Sequence, residues 1–440
     1  MKEPSVALQQ ESLAAPRKGA WWVLGILCFV YVLNFLDRQL LSILAKPIQD
    51  ELGVSDGQLG LIGGLYFALF YCILAIPVGW LADRTNRVKV LAFSCGLWSA
   101  ATAACGMASS YPQLVVARMM VGVGEAGGVP PSYAIITDYF PPHLRGRALG
   151  LFNLGPAIGQ SLGVALGAWI AAAYDWRLAF IVLGVVGVVA AVFVYVIIKE
   201  PERGGLDARP AVAANAPVQR AEPARFWSTC RMFLTTPNLM IAALGAAANQ
   251  FVTYAIMGFA TLFLMREKGM TLQQVAIFYA LVVGVTVCGG MYASGRLLDA
   301  FKKRSRAVYG VLPGVAMILA LPFFIGFVWA PTWQLSLLML APPMFLSFFY
   351  LTPCVALVQE EVRPNQRVLS GAILLLIMNL IGLGLGPTYL GHASDVFSGT
   401  SPGNSLQMAF YTLAPFFVLA SVLFLVLAHR LRHELSPGVP

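Results

Sequence analysis

The chain has 440 residues, 58% of them apolar and only 11% charged, with a mean hydropathy of +0.75. Soluble domains run nearer to about 45–50% apolar and about 25% charged, so a soluble globular protein is excluded and a polytopic membrane protein is indicated. The formal net charge of +9 does not mark a nucleic-acid partner, because the basic residues are distributed by membrane topology.

In chain order, Met1 to Ala20 is polar and ends with Arg17 and Lys18 just before Trp21. The apolar run that follows is too long for a signal peptide and lacks a small-residue cleavage site, so it is read as a retained first span over 21–45. Further spans are expected near 57–82, 88–108, 113–138, 147–173 and 176–198. From Lys199 to Pro237 the composition turns rich in Pro, Ala and Arg, which predicts a cytoplasmic linker. The stretch "RFWSTCRMFL" within it has the pattern of an interfacial helix. Six more spans follow near 238–265, 271–295, 307–329, 332–358, 367–391 and 405–429. The expectation is an all-α membrane protein of twelve transmembrane helices, with six in residues 1–198 and six in residues 238–440.

Arg38 and Arg118 lie inside spans, and only Lys46, Arg177, Arg266 and Lys268 fall on the side away from the N-terminus. Every other Lys and Arg lies on the N-terminal side, which the positive-inside rule assigns to the cytoplasm, with both termini. The seven cysteines are scattered, without a C-x-x-C pair, so neither a disulfide nor a metal site is expected and no cofactor is assigned. No H-E-x-x-H motif and no nucleophile paired with a base is found, so no enzyme is predicted.

The halves echo each other at three corresponding places. "GWLADRTNRVK" (Gly79 to Lys89) follows span 2, and "GRLLDAFKKRSR" (Gly295 to Arg306) follows span 8, each with an Asp, Asp83 and Asp299, four residues after its Gly. Span 4 ends "DYFPPHLRGRALG" from Asp138, and span 10 ends "EEVRPNQRVLSG" from Glu360. Span 5 carries "LGPAIGQSLG" and span 11 carries "LGLGPTYLG". Such a repeat predicts two similar bundles about an axis normal to the membrane.

Four ionisable residues lie within spans: Asp37 and Arg38 in the first, Arg118 and Glu125 in the fourth. Charge at membrane depth costs at least about 2.5–3.5 kcal/mol per residue and marks substrate or ion pathways. Seven residues separate Arg118 from Glu125, so both occupy one helix face about 10 Å apart. Asp37 and Arg38 diverge by about 100°, so one faces a cavity more squarely than the other. Asp37 and Glu125 are the candidate proton-coupling pair, since burial and a nearby Arg act oppositely on a carboxyl group. Two roles fit Arg38 and Arg118: holding an anionic headgroup, for which guanidinium forks are suited, or balancing the acids.

The Gly79 to Lys89 loop resembles the loop between spans 2 and 3 of the major facilitator superfamily, with Asn86 in place of a second Gly and Val88 in place of a basic residue. Within that superfamily, "NFLDR" from Asn34 and "RMMVGVGEAGGVPPSYAIITDYFPP" from Arg118 resemble the bacterial spinster-like branch. The resemblance implies two rocking six-helix bundles and alternating access. It further implies cytoplasmic gating motifs at Gly79, Asp83, Arg84, Arg87, Asp138, Arg145, Gly295 and Asp299. Members of that branch are linked to lysophospholipid and sphingosine-phosphate movement, several with proton coupling.

In the second half the polar residues inside spans are few and uncharged, and Asn249, Tyr254 and Asn379 are taken as cavity candidates. The function expected is proton-coupled transport of an amphiphilic, lysolipid-like, anionic or zwitterionic substrate across a bacterial inner membrane, by a monomer in contact with membrane lipid. A hydrophilic organic anion or an amphipathic drug is the alternative cargo. A non-transporting membrane receptor is the alternative class.

Overall fold

The computed structural model describes residues 15–203, 206, 226–363, 366–401 and 403–433. The polar stretch before residue 15 and most of the expected linker lie outside the described residues. Among the described residues every regular element is a helix.

Eleven helices are long and apolar enough to cross a membrane. In chain order these are α1 (Ala20–Ile43), α2 (Asp56–Arg84), α3 (Arg87–Gly106), α5 (Pro142–Ala173), α6 (Trp176–Ile197), α7 (Pro237–Arg266), α8 (Leu272–Phe301), α9 (Val308–Trp329), α10 (Trp333–Glu361), α11 (Leu369–Ser398) and α12 (Ser405–His433). The twelfth segment, α4, is broken into Tyr111–Glu125 and Val129–Tyr139. Neither piece alone is long enough to span. Gly127 and Gly128 leave the turn unconstrained, and Pro130 and Pro131 cannot continue the ladder from the preceding turn. The tight turn is closed by the Gly128 amide on the Glu125 carbonyl at 3.0 Å. The sequence pattern ran straight through this break, which falls immediately after the most deeply placed acid. Twelve passes therefore stand as expected, with one discontinuous.

Small residues set the packing within each half. α5 lies along α1, and a Cβ placed on Gly163 would come 2.7 Å from the Leu36 carbonyl. The Gly155, Gly159, Gly163 and Gly167 stripe thus docks α5 onto its own half, holding the α1 segment that bears Asp37 and Arg38. In the second half α11 packs on α7 in the same way. A short helix, Phe226–Thr235, occupies the stretch read as interfacial, with Trp227 80% exposed.

Contacts between the halves gather at one end. We call the end where α1 starts proximal and the end where it finishes distal. At the distal end α2 packs on α11, the short helix Ala45–Leu52 on α7, and α5 on α8. The Ser161 hydroxyl donates to the Ala280 carbonyl at 2.9 Å, and the Leu65 amide to the Thr388 hydroxyl at 3.1 Å. Both α8 and α11 carry π-helical turns, Val275–Tyr279 and Asn379–Leu385, a local widening that recurs at functional positions. Proximally, a Cβ on Gly79 or Gly295 would meet nothing within 4 Å. No close helix approach is made at either glycine of the repeated loop motifs in this arrangement.

Candidate functional site

The four membrane-embedded charges meet. Arg38 donates from Nε to Glu125 Oε2 at 2.7 Å, and Arg118 Nη1 lies 3.8 Å from Asp37 Oδ1. α1 and α4 thus exchange two ion pairs, and the quartet carries no net charge. Breaking a buried pair by deleting one partner typically costs about 3–5 kcal/mol, because the other charge stays buried and uncompensated. Asp37, Arg118 and Glu125 are only 4%, 2% and 1% exposed.

The divergence of Asp37 and Arg38 resolves in favour of Arg38. Asp37 turns into the first half, where it accepts from the Thr102 hydroxyl on α3. Arg38 faces the seam between the halves. There it lines a cavity of about 60 Å³ with Gln39, Arg118, Gln160, Tyr254 and Phe259, among others. Tyr254 of α7 reaches the Arg38 guanidinium from the opposite half. The rest of the wall is largely apolar, including Phe35, Leu41, Met257 and Leu383.

Phe67 of α2 was not picked out from the sequence. Its ring centroid lies 5.3 Å from Cζ of Arg38 and 5.4 Å from Cζ of Arg118, so both guanidiniums share one aromatic ring. Arg38 also lies 4.9 Å from the Phe35 centroid and 5.0 Å from that of Tyr71. Aromatic faces stabilise desolvated cations by about 0.5–2 kcal/mol each. Arg118 needs this support, since its Nε and Nη1 have no hydrogen-bond partner among the described residues. Glycine permits the approach of α2 to α4. A Cβ on Gly122 would come 2.7 Å from the Phe67 carbonyl, and one on Gly124 would come 2.5 Å from the Trp98 amide of α3.

The other cavity candidates lie elsewhere. Asn249 donates to the Ser347 carbonyl at 2.7 Å and Asn379 accepts from Gln250 at 3.1 Å, both inside the second half. Neither lines the cavity, whereas Tyr254 does. A polar residue in a membrane helix satisfies its hydrogen bonds wherever a partner is near, and sequence position alone does not distinguish seam from bundle interior.

The proximal motif residues form networks within each half. Arg87 donates to Asp138 at 2.7 Å and to Glu200 at 2.9 Å, joining the start of α3 to the end of α4 and the segment after α6. Arg145 donates to the Thr137 and Phe140 carbonyls. In the second half Arg306 pairs with Glu361, again joining the start of the third helix to the end of the fourth. Asp299 pairs with Lys302 at 2.7 Å. Asp83 is exposed, its backbone carbonyl accepting from Arg203, and Arg84 stacks 4.2 Å from the Trp80 ring.

A second set of charges, unmarked in the sequence, closes the distal end. Asp56 at the start of α2 is 5% exposed and takes two hydrogen bonds from Arg266 of α7, plus one each from Gln49 and Ser394. Reciprocally, Asp395 of α11 caps the start of α2, accepting from Ser55 Oγ at 2.7 Å and the Gly57 amide at 2.9 Å. An acid at a helix N-terminus is favourably placed. The available signal was that Arg266 is one of few basic residues on the distal side.

A family model described as Major Facilitator Superfamily matches residues 27–387. The chain belongs to the major facilitator superfamily. Family and fold are those of transporters, not of enzymes. This transporter is 30% identical over 416 residues to an MFS-type efflux pump of Mycolicibacterium smegmatis, covering 94% of each chain. It is 29% identical over 273 residues to protein spinster homolog 1 of Homo sapiens, covering 60% of this chain and 50% of that one. The crystal structure of a bacterial homologue of the human lysosomal transporter Spinster, inward-facing and unoccupied, superposes with a TM-score of 0.86 at 29% identity, over 96% of this chain and 100% of that one. The transporter lies in the bacterial spinster-like branch.

Proposed function

We propose that the chain is a proton-coupled transporter of an amphiphilic anion or zwitterion of lysolipid type, working by alternating access. The observation that carries this is the placement of Arg38, which faces an otherwise largely apolar seam while held by a buried acid. Ligand sites run to about 300–1,000 Å³, so the seam cavity of about 60 Å³ must widen during the cycle to admit such a cargo. A headgroup fits at the guanidiniums, with its tail along the apolar wall. Basic residues concentrate proximally, and the positive-inside rule supports assigning that end and both termini to the cytoplasm of a bacterial inner membrane. The arrangement then faces inward, in keeping with the matched spinster homologue.

Coupling follows from the ion pairs. Protonating Glu125 removes the charge that holds Arg38, and the freed guanidinium takes the headgroup. Asp37 does the same for Arg118 within the first half, and the two halves 1–198 and 238–440 then rock as bundles in a monomer. Asp83, which faces solvent here, is the element that locks the proximal side in the opposite state. The test is uptake into proteoliposomes under an imposed pH gradient. Lysolipid transport should collapse with the gradient in wild type and be gradient-independent in Glu125→Gln. Lysolipid uptake indifferent to pH in both proteins would sink the coupling.

A second cargo, an amphipathic drug-like molecule, is favoured by the efflux-pump relative that spans 94% of each chain. The same vesicles separate the two by competition, since only the true cargo protects the protein thermally and slows uptake.

A further inference from the structure

A groove of about 870 Å³ opens on the flank of the second half, remote from the central seam. Its mouth, at the proximal end, carries Arg304, Ser305, His429 and Arg432, all exposed. Beyond the mouth the floor is a stripe of α9, namely Val308, Val311, Val315 and Leu319. These positions recur at three- and four-residue intervals and so share one helix face. α8, α10 and α12 supply the sides through Leu297, Leu346 and Ala428.

Two quantities identify the occupant. From Val308 to Leu319 the stripe runs about 16 Å, which matches one leaflet, half of a hydrocarbon core about 30 Å thick. The mouth is cationic without a paired carboxylate among the described residues. Among the described residues no carboxylate pairs with Arg304 or Arg432, while the nearby acids are engaged, Asp299 by Lys302, Glu361 by Arg306 and Glu360 by Tyr309. A comparable groove on the first half, about 680 Å³ between α3 and α4, is lined by apolar residues and Gln113 and has no basic mouth.

We propose that this groove is a binding site for one anionic phospholipid of the proximal leaflet, with its phosphate on Arg304 and Arg432 and an acyl chain along α9. Guanidinium forks suit phosphate geometry, and the apolar stripe supplies burial for the chain. The site lies outside the transport cavity and is independent of what that cavity carries.

Native mass spectrometry of the delipidated protein, titrated with phosphatidylglycerol or phosphatidylcholine of the same chains, tests the assignment. Wild type should retain one phosphatidylglycerol in preference to phosphatidylcholine. Arg304→Gln with Arg432→Gln should lower that preference on the order of tenfold. Val315→Trp, at a position 42% exposed, should fill the groove and release the lipid although the mouth is intact, and Leu319→Trp should repeat the result. Unchanged preference in the arginine variant overturns the proposal. So does an arginine effect without a tryptophan effect, which would mean a basic surface lacking a seat, or a dimer mass that the tryptophan variants abolish, which would mean a second copy in the groove.

Discussion

Arg266 grips Asp56 through two parallel hydrogen bonds of 2.9 and 2.7 Å, tying the last turn of α7 to the first turn of α2 across the two halves. Asp395 reinforces the closure from α11. Under the proposed alternating access, distal opening requires these bonds to break, and their strength then sets part of the balance between access states.

Arg266→Lys keeps the charge but loses the fork. A charge-assisted hydrogen bond contributes about 1.5–3 kcal/mol, so the distal-open population should rise by about tenfold to a hundredfold. In a cysteine-free background, Ser42→Cys in the cavity wall should then label faster from the distal side with an impermeant maleimide. Labelling no faster than in the parent would show that the latch does not control access.

Glu125→Gln leaves the part-buried Arg38 without its acid, and apparent unfolding stability should fall by up to about 3–5 kcal/mol. The double variant Arg38→Gln, Glu125→Gln should recover most of that loss, because neither charge is then stranded. Thermal melts of the four proteins in one detergent complete the cycle, and additive losses would contradict a direct pair.

Phe67→Leu removes the ring shared by the two guanidiniums while keeping bulk. Loss of two cation–π contacts should destabilise the protein by about 1–3 kcal/mol. Phe67→Tyr, which keeps the π face, should lie close to wild type in the same melts.

Gly122→Val drives a branched side chain toward the Phe67 carbonyl, where a Cβ alone would already stand at 2.7 Å. Parting α2 from α4 should cost about 1–3 kcal/mol as overpacking does and slow transport in proteoliposomes. Gly146→Val, where a Cβ meets nothing within 4 Å, should be neutral in both assays.

Asp83→Asn should leave the melting temperature nearly unchanged, since the carboxylate faces solvent in this state. It should nevertheless deplete the opposite access state, read as slower distal labelling of Ser42→Cys. Equal labelling in both proteins would remove Asp83 from the gate.

Much was legible in the chain itself. Hydropathy summed over about 20 residues locates a span without knowledge of its neighbours, and the repeated loop motifs announced two alike halves. The seven-residue spacing of Arg118 and Glu125 put both on one face, where they meet α1 as the helical period requires. The break after Glu125 was written in Gly127, Gly128, Pro130 and Pro131, yet an apolar run conceals a turn that hydrophobicity does not register.

Partner choice was a matter for tertiary structure alone. Glu125 takes Arg38 from 87 residues away, Asp56 takes Arg266 from 210, and Asp395 caps α2 from 338. No local pattern encodes such pairings, because each depends on which helix faces pack once the backbone is placed. The same holds for Asn249 and Asn379, turned inward by the packing of their own bundle, and for Arg38, turned to the seam while Asp37 is not. Chain composition determined that charges would be buried in a membrane; helix packing decided which of them would meet.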